Sequence, residues 1–192
     1  MHLILIIFLP CFFSLSIPTL KGAFGAILRS KRNGFGNGKT LAIKVSIEAD
    51  SDLEMEHAIL SVRPLNEHPN SIKYYGSLQS TNSDIKFITR KPNGNIERFI
   101  VKRGLVMEFV ENDLNKALHH NGNGEVHRQK LNVVKGIAKG MEAVHKANYL
   151  HKDMKPQNIM LAVDTNGTVV PKIMDYGAGT SKQKLETGNN LL

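Results

Sequence analysis

Over roughly the first 110 residues, apolar positions come in short runs broken by polar turns. Ala26 to Leu28 and Leu41 to Val45 are β-prone runs, and the Gly/Asn-rich stretch KRNGFGNGKT between them predicts a turn. Ser51 to Arg63 breaks this rhythm and predicts a helix. Ser51 and Glu54 fit a capping box, and Pro64 is expected to stop the helix. IKYYGSL and KFITR follow as strands, then Pro92-Asn93-Gly94, then ERFIVKRGLVMEFV. Asn-Gly between β-prone runs signals a hairpin. These patterns predict antiparallel sheet with one helix.

The pattern then changes. Asn112 or Asp113 is placed to cap a short helix through Leu118, and His119 to Glu125 reads as a polar loop. From Leu131 to Lys146, apolar residues at 134, 137, 141 and 144 recur at helical spacing. Short runs follow at 149–150, 159–161 and 173–174. The tail SKQKLETGNNLL has no core-building pattern.

Composition narrows the class. The chain has 192 residues, 41% hydrophobic and 22% charged, which fits a globular domain and excludes a disordered or collagen-like one. One cysteine excludes an internal disulfide and a zinc site built from cysteine pairs. No apolar run reaches the length of a membrane span. Net charge is +8, with six cations and no acid between residues 21 and 44. No aromatic interleaving or arginine-rich run accompanies them, so the basic stretch reads as a solvated hairpin and no nucleic-acid partner is expected. Residues 1–16, MHLILIIFLPCFFSLS, hold 12 apolar residues and no formal charge. They read either as a secretory leader or as a buried strand entering the next element.

Two groups of residues carry chemistry. Leu53, Glu56 and Leu60 share one face of the predicted helix, with Ile59 beside it, which sets a carboxylate in an apolar stripe. A buried carboxylate needs a partner. Lys44, inside the apolar run Leu41-Ala42-Ile43-Lys44-Val45, is the candidate, and a fixed ammonium can neutralise a phosphate. The other reading leaves Glu56 solvated at the stripe's edge. The second group is YLHKDMKPQNIML with KIMDYGAG after it. Asp153 can accept a hydroxyl proton, Lys155 can steady a phosphoryl group, and Asn158 and Asp175 offer hard oxygen ligands suited to Mg²⁺.

Taken in order, these segments resemble the eukaryotic protein kinase family of the serine/threonine type. Leu20 to Ile27 resembles the glycine-rich loop, Ala42-Ile43-Lys44 the V-A-I-K strand, Glu56 with Ile59-Leu60 the regulatory helix, and His68-Pro69-Asn70 the turn after it. Leu105 to Val110 resembles the hinge with Met107 as gatekeeper, His151 to Asn158 resembles H-R-D-L-K-P-x-N, and Asp175-Tyr176-Gly177 resembles D-F-G. The resemblance implies an α+β, two-lobed fold: an apolar leader at 1–16, an N-lobe with hinge at 17–110 and a partial helical C-lobe at 111–192. It implies ATP and Mg²⁺ as cofactors and protein serine or threonine hydroxyls as substrate. Gly22, Gly25 and Ile27 would cover the nucleotide, and Ala42 and Met107 would line its site. Lys44 would bind phosphates and pair with Glu56, while the Glu108 carbonyl and Val110 amide would face adenine. Asp153 would be the catalytic base, Lys155 would contact the γ-phosphate, and Asn158 and Asp175 would hold the metal.

The sequence departs from the pattern at four places. Leu20 stands where the first loop glycine is expected, and Lys152 replaces arginine and loses its bidentate fork. Tyr176 replaces phenylalanine, so its hydroxyl needs a partner. The chain stops at Leu192, soon after the D-Y-G turn, and on this reading it is a truncated kinase domain. Nucleotide binding without peptide phosphorylation is then expected of it. The alternative function is an ATP-binding pseudokinase or regulatory fragment acting as a binding module. Kinase chemistry points to the cytoplasm and the apolar start to the secretory pathway. Membrane association is expected only if that start is retained. The G-K-T at 38–40 invites a P-loop reading, but a strand-like run follows it where a P-loop needs a helix.

Overall fold

A computed structural model describes residues 14–22, 25–31, 40–45, 51–79, 85–90, 96–101, 103–119 and 124–183. They divide into two units. One comprises the chain up to His57 and Tyr74–Phe109, the other Ala58–Lys73 and the chain from Val110 onward. Residues 1–13 of the apolar start lie outside the described residues, and Ser14 opens the first strand.

The first unit is an antiparallel sheet of β1 (Ser14–Gly22), β2 (Gly25–Lys31), β3 (Thr40–Val45), β4 (Tyr74–Gln79) and β7 (Arg103–Glu108), in the order β1-β2-β3-β7-β4. β3 and β7 have neighbours on both sides. Leu41, Ala42, Ile43 and Val45 of β3 and Leu105, Val106 and Met107 of β7 are buried. Continuous apolar runs, rather than alternating ones, are what such central strands require. β5 (Ile85–Arg90) and β6 (Ile96–Val101) pair as the hairpin expected around Asn93-Gly94, whose turn lies outside the described residues. The turn expected between β2 and β3 lies outside the described residues, and the strand beginning at Thr40 removes the P-loop reading.

The predicted helix is α1 (Ser51–Leu60), three residues shorter than expected. Pro64 does not merely stop it. It lies in the first turn of a second short helix, α2 (Arg63–Asn66), where its missing N–H is not needed.

The second unit contains α3 (Leu114–His119), α4 (Gly124–Arg128) and α5 (Lys130–Lys146). A three-stranded sheet runs β11 (Val169–Ile173), β10 (Ile159–Val163), β8 (Asn112–Asp113), and β9 (Tyr149–Leu150) pairs with β12 (Thr180–Ser181). Of the two expected caps, Asp113 is the one used: its Oδ1 accepts the Lys116 N–H at 2.8 Å. The expected loop at 119–125 is helical at both ends, with 120–123 outside the described residues.

α5 spans the predicted range but buries a different face. Val133, Gly136, Gly140 and Val144 are buried, whereas Val134 is 62% and Leu131 68% exposed. The glycines explain the rotation. A Cβ on Gly136 would lie 2.5 Å from Pro171 Cγ, and one on Gly140 would lie 2.7 Å from the Asn70 carbonyl oxygen. Asn70 to Ile72 runs alongside β11. The Ile173 N–H bonds to Asn70 O and the Ile72 N–H to Ile173 O, both at 2.9 Å, and Asn70 Nδ2 donates to Pro171 O at 2.9 Å. Helix, loop and strand therefore meet backbone to backbone.

Candidate active site

In the first unit, β3 and α1 bring Lys44 and Glu56 together. Lys44 Nζ donates to Glu56 Oε2 at 2.5 Å, with the lysine side chain 11% exposed and the glutamate fully buried. Leu53 on the same face of α1 is buried too, so the buried reading of Glu56 holds. A desolvated pair is stable only when charge and geometry match. Two further contacts tie α1 to the sheet. His57 Nδ1 lies 2.6 Å from the Tyr74 hydroxyl on β4, and Arg103 on β7 donates to Glu54 Oε1 at 2.7 Å. Glu54, expected to cap the helix start, is thus engaged by Arg103.

Ala42 and Met107 are register partners on β3 and β7 and both are buried. Glu108 pairs with Leu41 at the end of β7, after which the chain leaves the sheet. Ile27 stands opposite Lys44 in the β2–β3 ladder, and Gly22 and Gly25 are partners at the tip of the β1–β2 ladder. Ala23 and Phe24 between them lie outside the described residues.

In the second unit, Val110 is half-buried at the entry to the chain's return. His151 is buried, and both ring nitrogens are engaged. Nδ1 accepts the Asp153 N–H at 3.3 Å, so Nε2 carries the proton and donates to the Met174 carbonyl at 2.9 Å. Burial lowers its pKa against the opposing pull of the Met174 carbonyl and of Asp175 and Asp153. His151 is therefore a neutral brace rather than a base. Asp153 Oδ2 accepts from Lys155 Nζ at 2.7 Å and from Asn158 Nδ2 at 3.0 Å, and Asn158 Nδ2 also donates to Asp153 O at 2.8 Å. The Lys155 hydrogen bond is the main reason the Asp153 carboxyl lies below its ordinary range, with Asn158 adding to it. Its side chain is 39% exposed, so the carboxylate is charged, partly solvated and aimed by two donors.

Ile159 pairs with Ile173, and the Met174 N–H donates to the Asn158 carbonyl at 3.0 Å. The β10–β11 register thus sets Asn158 beside Met174, next to Asp175. Lys152 and Asp175 have φ of 65° and 64°, the left-handed region that side chains other than glycine occupy at a cost. Tyr176 is fully buried. Its hydroxyl lies 3.1 Å from Ser71 Oγ and donates to Ile173 O at 3.3 Å, and its ring centroid is 5.0 Å from that of His151. The partner the tyrosine requires is thus Ser71.

Asn158 spends its amide hydrogens on Asp153, which leaves its side-chain oxygen as an acceptor near the Asp175 turn. One carboxylate and one amide oxygen suit a hard cation that shares its coordination with phosphates and water. No group of three or more His, Cys, Asp or Glu able to hold a metal occurs among the described residues. Sequence patterns missed His57, Tyr74 and Ser71. A tyrosine within an apolar run, needing a polar partner, was the available signal.

Cationic, anionic and amide groups fixed on short, tightly bonded loops are what a phosphate-handling domain needs. Residues 21–190 match the protein kinase domain, and the chain belongs to that family. It is 30% identical over 141 residues to "Mitogen-activated protein kinase 4" of Rattus norvegicus, covering 72% of this chain and 46% of that protein. It is 29% identical over 182 residues to "Serine/threonine-protein kinase dst2" of Dictyostelium discoideum, covering 94% of this chain and 14% of that protein. With "Cell division control protein 7" of Schizosaccharomyces pombe it shares 28% over 169 residues, 86% of this chain and 14% of that protein. The chain thus spans less than half the length of these relatives. Among the described residues, no helix is long and apolar enough to cross a membrane.

Proposed function

We propose that the chain carries the chemistry of a protein serine/threonine kinase, transferring the γ-phosphoryl group of Mg-ATP to a serine or threonine hydroxyl. The observation that carries this reading is Asp153, a charged carboxylate aimed by Lys155 and Asn158 beside the Asp175 turn. In the reaction the hydroxyl oxygen bonds to the γ-phosphorus, the bond from that phosphorus to the ADP oxygen breaks, and the hydroxyl proton passes to Asp153. A carboxylate with a lowered pKa is a weak base. Its main contribution is to orient the hydroxyl and take the proton late. Lys155 offsets charge on the group in transfer, and Lys44, fixed by Glu56, holds phosphate oxygens. Asn158 and Asp175 hold Mg²⁺, which when bound neutralises phosphate charge. Gly22, Gly25, Ile27, Ala42, Met107, Glu108 and Val110 frame the nucleotide. Lys-Pro after Asp153 and the names of the relatives support serine and threonine as acceptors. ATP supply favours the cytoplasm.

Nucleotide binding to the 192-residue chain, with and without Mg²⁺, tests this reading. Binding is expected to need Mg²⁺ and to disappear in Lys44→Met and Asp175→Ala. A folded chain that binds no nucleotide overturns it. Transfer of labelled phosphate from ATP to a serine-containing protein, lost about 100- to 10,000-fold in Asp153→Asn, separates a kinase from a binding module. Mg²⁺-dependent binding without transfer supports the module.

A further inference from the structure

The Tyr176 hydroxyl does more than satisfy itself. The tyrosine donates to the carbonyl of Ile173, three residues earlier, so its oxygen is left to accept the Ser71 hydroxyl. The same Ile173 carbonyl accepts the Ile72 N–H. Ser71, Ile72, Ile173 and Tyr176 therefore form one closed set of hydrogen bonds, and Ser71 and Tyr176 are both essentially inaccessible to water. The two residues enclosed between Ile173 and Tyr176 are Met174 and Asp175. Met174 is pinned through both backbone groups, by Asn158 O and by His151 Nε2. Beyond Tyr176, its carbonyl accepts the Gly179 N–H at 2.8 Å. Asp175 holds its left-handed φ of 64° inside this frame. A phenylalanine ring would fill the same space without the bond back to Ile173 or the one across to Ser71.

We propose that the Ser71 and Tyr176 hydroxyls form a latch that holds Asp175 in its left-handed conformation, making Ser71 a positioning residue for metal-dependent nucleotide binding. The inference rests on the reading of Asp175 as a metal-holding residue. Ser71 touches neither metal nor nucleotide. It acts through Tyr176 and the turn. Releasing the latch lets Asp175 relax toward ordinary backbone conformations and lowers the fraction of chains ready to bind metal. Affinity for nucleotide without metal does not pass through that turn.

The test uses ADP, with and without Mn²⁺ as the metal probe, on the full chain and on Ser71→Ala, Tyr176→Phe and the double variant. Tyr176→Phe keeps the ring and guards against loss of the fold. Each single change is expected to weaken Mn²⁺-dependent ADP binding about 3- to 10-fold, the range of one intramolecular hydrogen bond, and to leave metal-free binding unchanged. The double variant is expected to be no worse than Tyr176→Phe, because that change already removes the bond to Ser71. Hydrogen exchange at the Met174 and Gly179 amides is expected to quicken in both. A Mn²⁺-dependent wild type with an indifferent Ser71→Ala overturns this inference alone. Equal loss of metal-free and metal-dependent binding also overturns it, as the mark of general damage. A wild type indifferent to Mn²⁺ overturns the reading of Asp175 and this inference with it.

Discussion

Each unit contains a lysine bonded to a carboxylate at nearly the same distance, 2.5 Å for Lys44–Glu56 and 2.7 Å for Lys155–Asp153. Their surroundings differ. The first pair is 11% and 0% exposed, the second 47% and 39%. Water screens the second pair and shares its hydrogen bonds, while the first is locked between strand and helix. Equal distances therefore mark different jobs. The buried pair holds a charge in place, and the exposed pair leaves its charges available to a reactant.

The sharpest way to break this comparison is Glu56→Ala. It leaves the Lys44 ammonium without its buried counter-charge and is expected to cost about 3–5 kcal/mol in urea unfolding. Replacing both partners, Lys44→Met with Glu56→Leu, is expected to recover most of that stability while nucleotide binding stays lost. A Glu56→Ala chain as stable as the wild type contradicts the reading of the pair.

His151 sharpens it next, as a buried titratable group that stays neutral. Burial sets its folded pKa below the ordinary 6.5. The unfolded chain therefore binds more protons than the folded one once pH drops through that value. The contribution of His151 is fully present above about pH 6.5 and is lost as pH falls toward the folded pKa. Unfolding midpoints at about pH 7.5 and about pH 5.5 should diverge in the wild type and move closer together in His151→Gln. His68, whose pKa burial also lowers, accounts for part of the remaining slope.

The smallest effect on stability belongs to Lys155→Ala. An exposed pair contributes at most about 1 kcal/mol, so the midpoint should barely move. Removing the hydrogen bond that lowers the Asp153 carboxyl should raise its titration toward the ordinary 3.8, followed by carbon NMR of the carboxyl. An Asp153 titration unchanged in Lys155→Ala would falsify the assignment of that bond as the main cause.

Much of this was legible in the chain. The apolar runs at 41–45 and 105–107 became strands because central strands bury both faces. Glu56 in an apolar stripe announced its pairing with Lys44. The buried face of α5 was misread because Gly136 and Gly140 carry no side chain, so hydrophobic periodicity cannot count them, yet they permit the closest packing in that region. The link from Ser71 to Tyr176 was invisible for another reason. The residues lie 105 positions apart, and nothing local in Ser71 distinguishes it from a surface serine.

The seat of Asn70 has a consequence for the chain as it is made. Asn70 donates to Pro171, 101 residues later, and its carbonyl awaits the Ile173 N–H. Translation proceeds at about 5–20 residues per second. Asn70 therefore leaves the peptidyl-transferase centre roughly 5–20 s before its partners are joined to the chain. Strands β4 to β7 of the first unit are synthesised within that interval, after β1, β2, β3 and α1 have already been made. The segment 58–73, threaded through the middle of that unit's sequence, belongs to structure the ribosome has not yet supplied. Newborn chains thus carry a stretch of future core in waiting, and its first protection is time-stamped by the synthesis of β11.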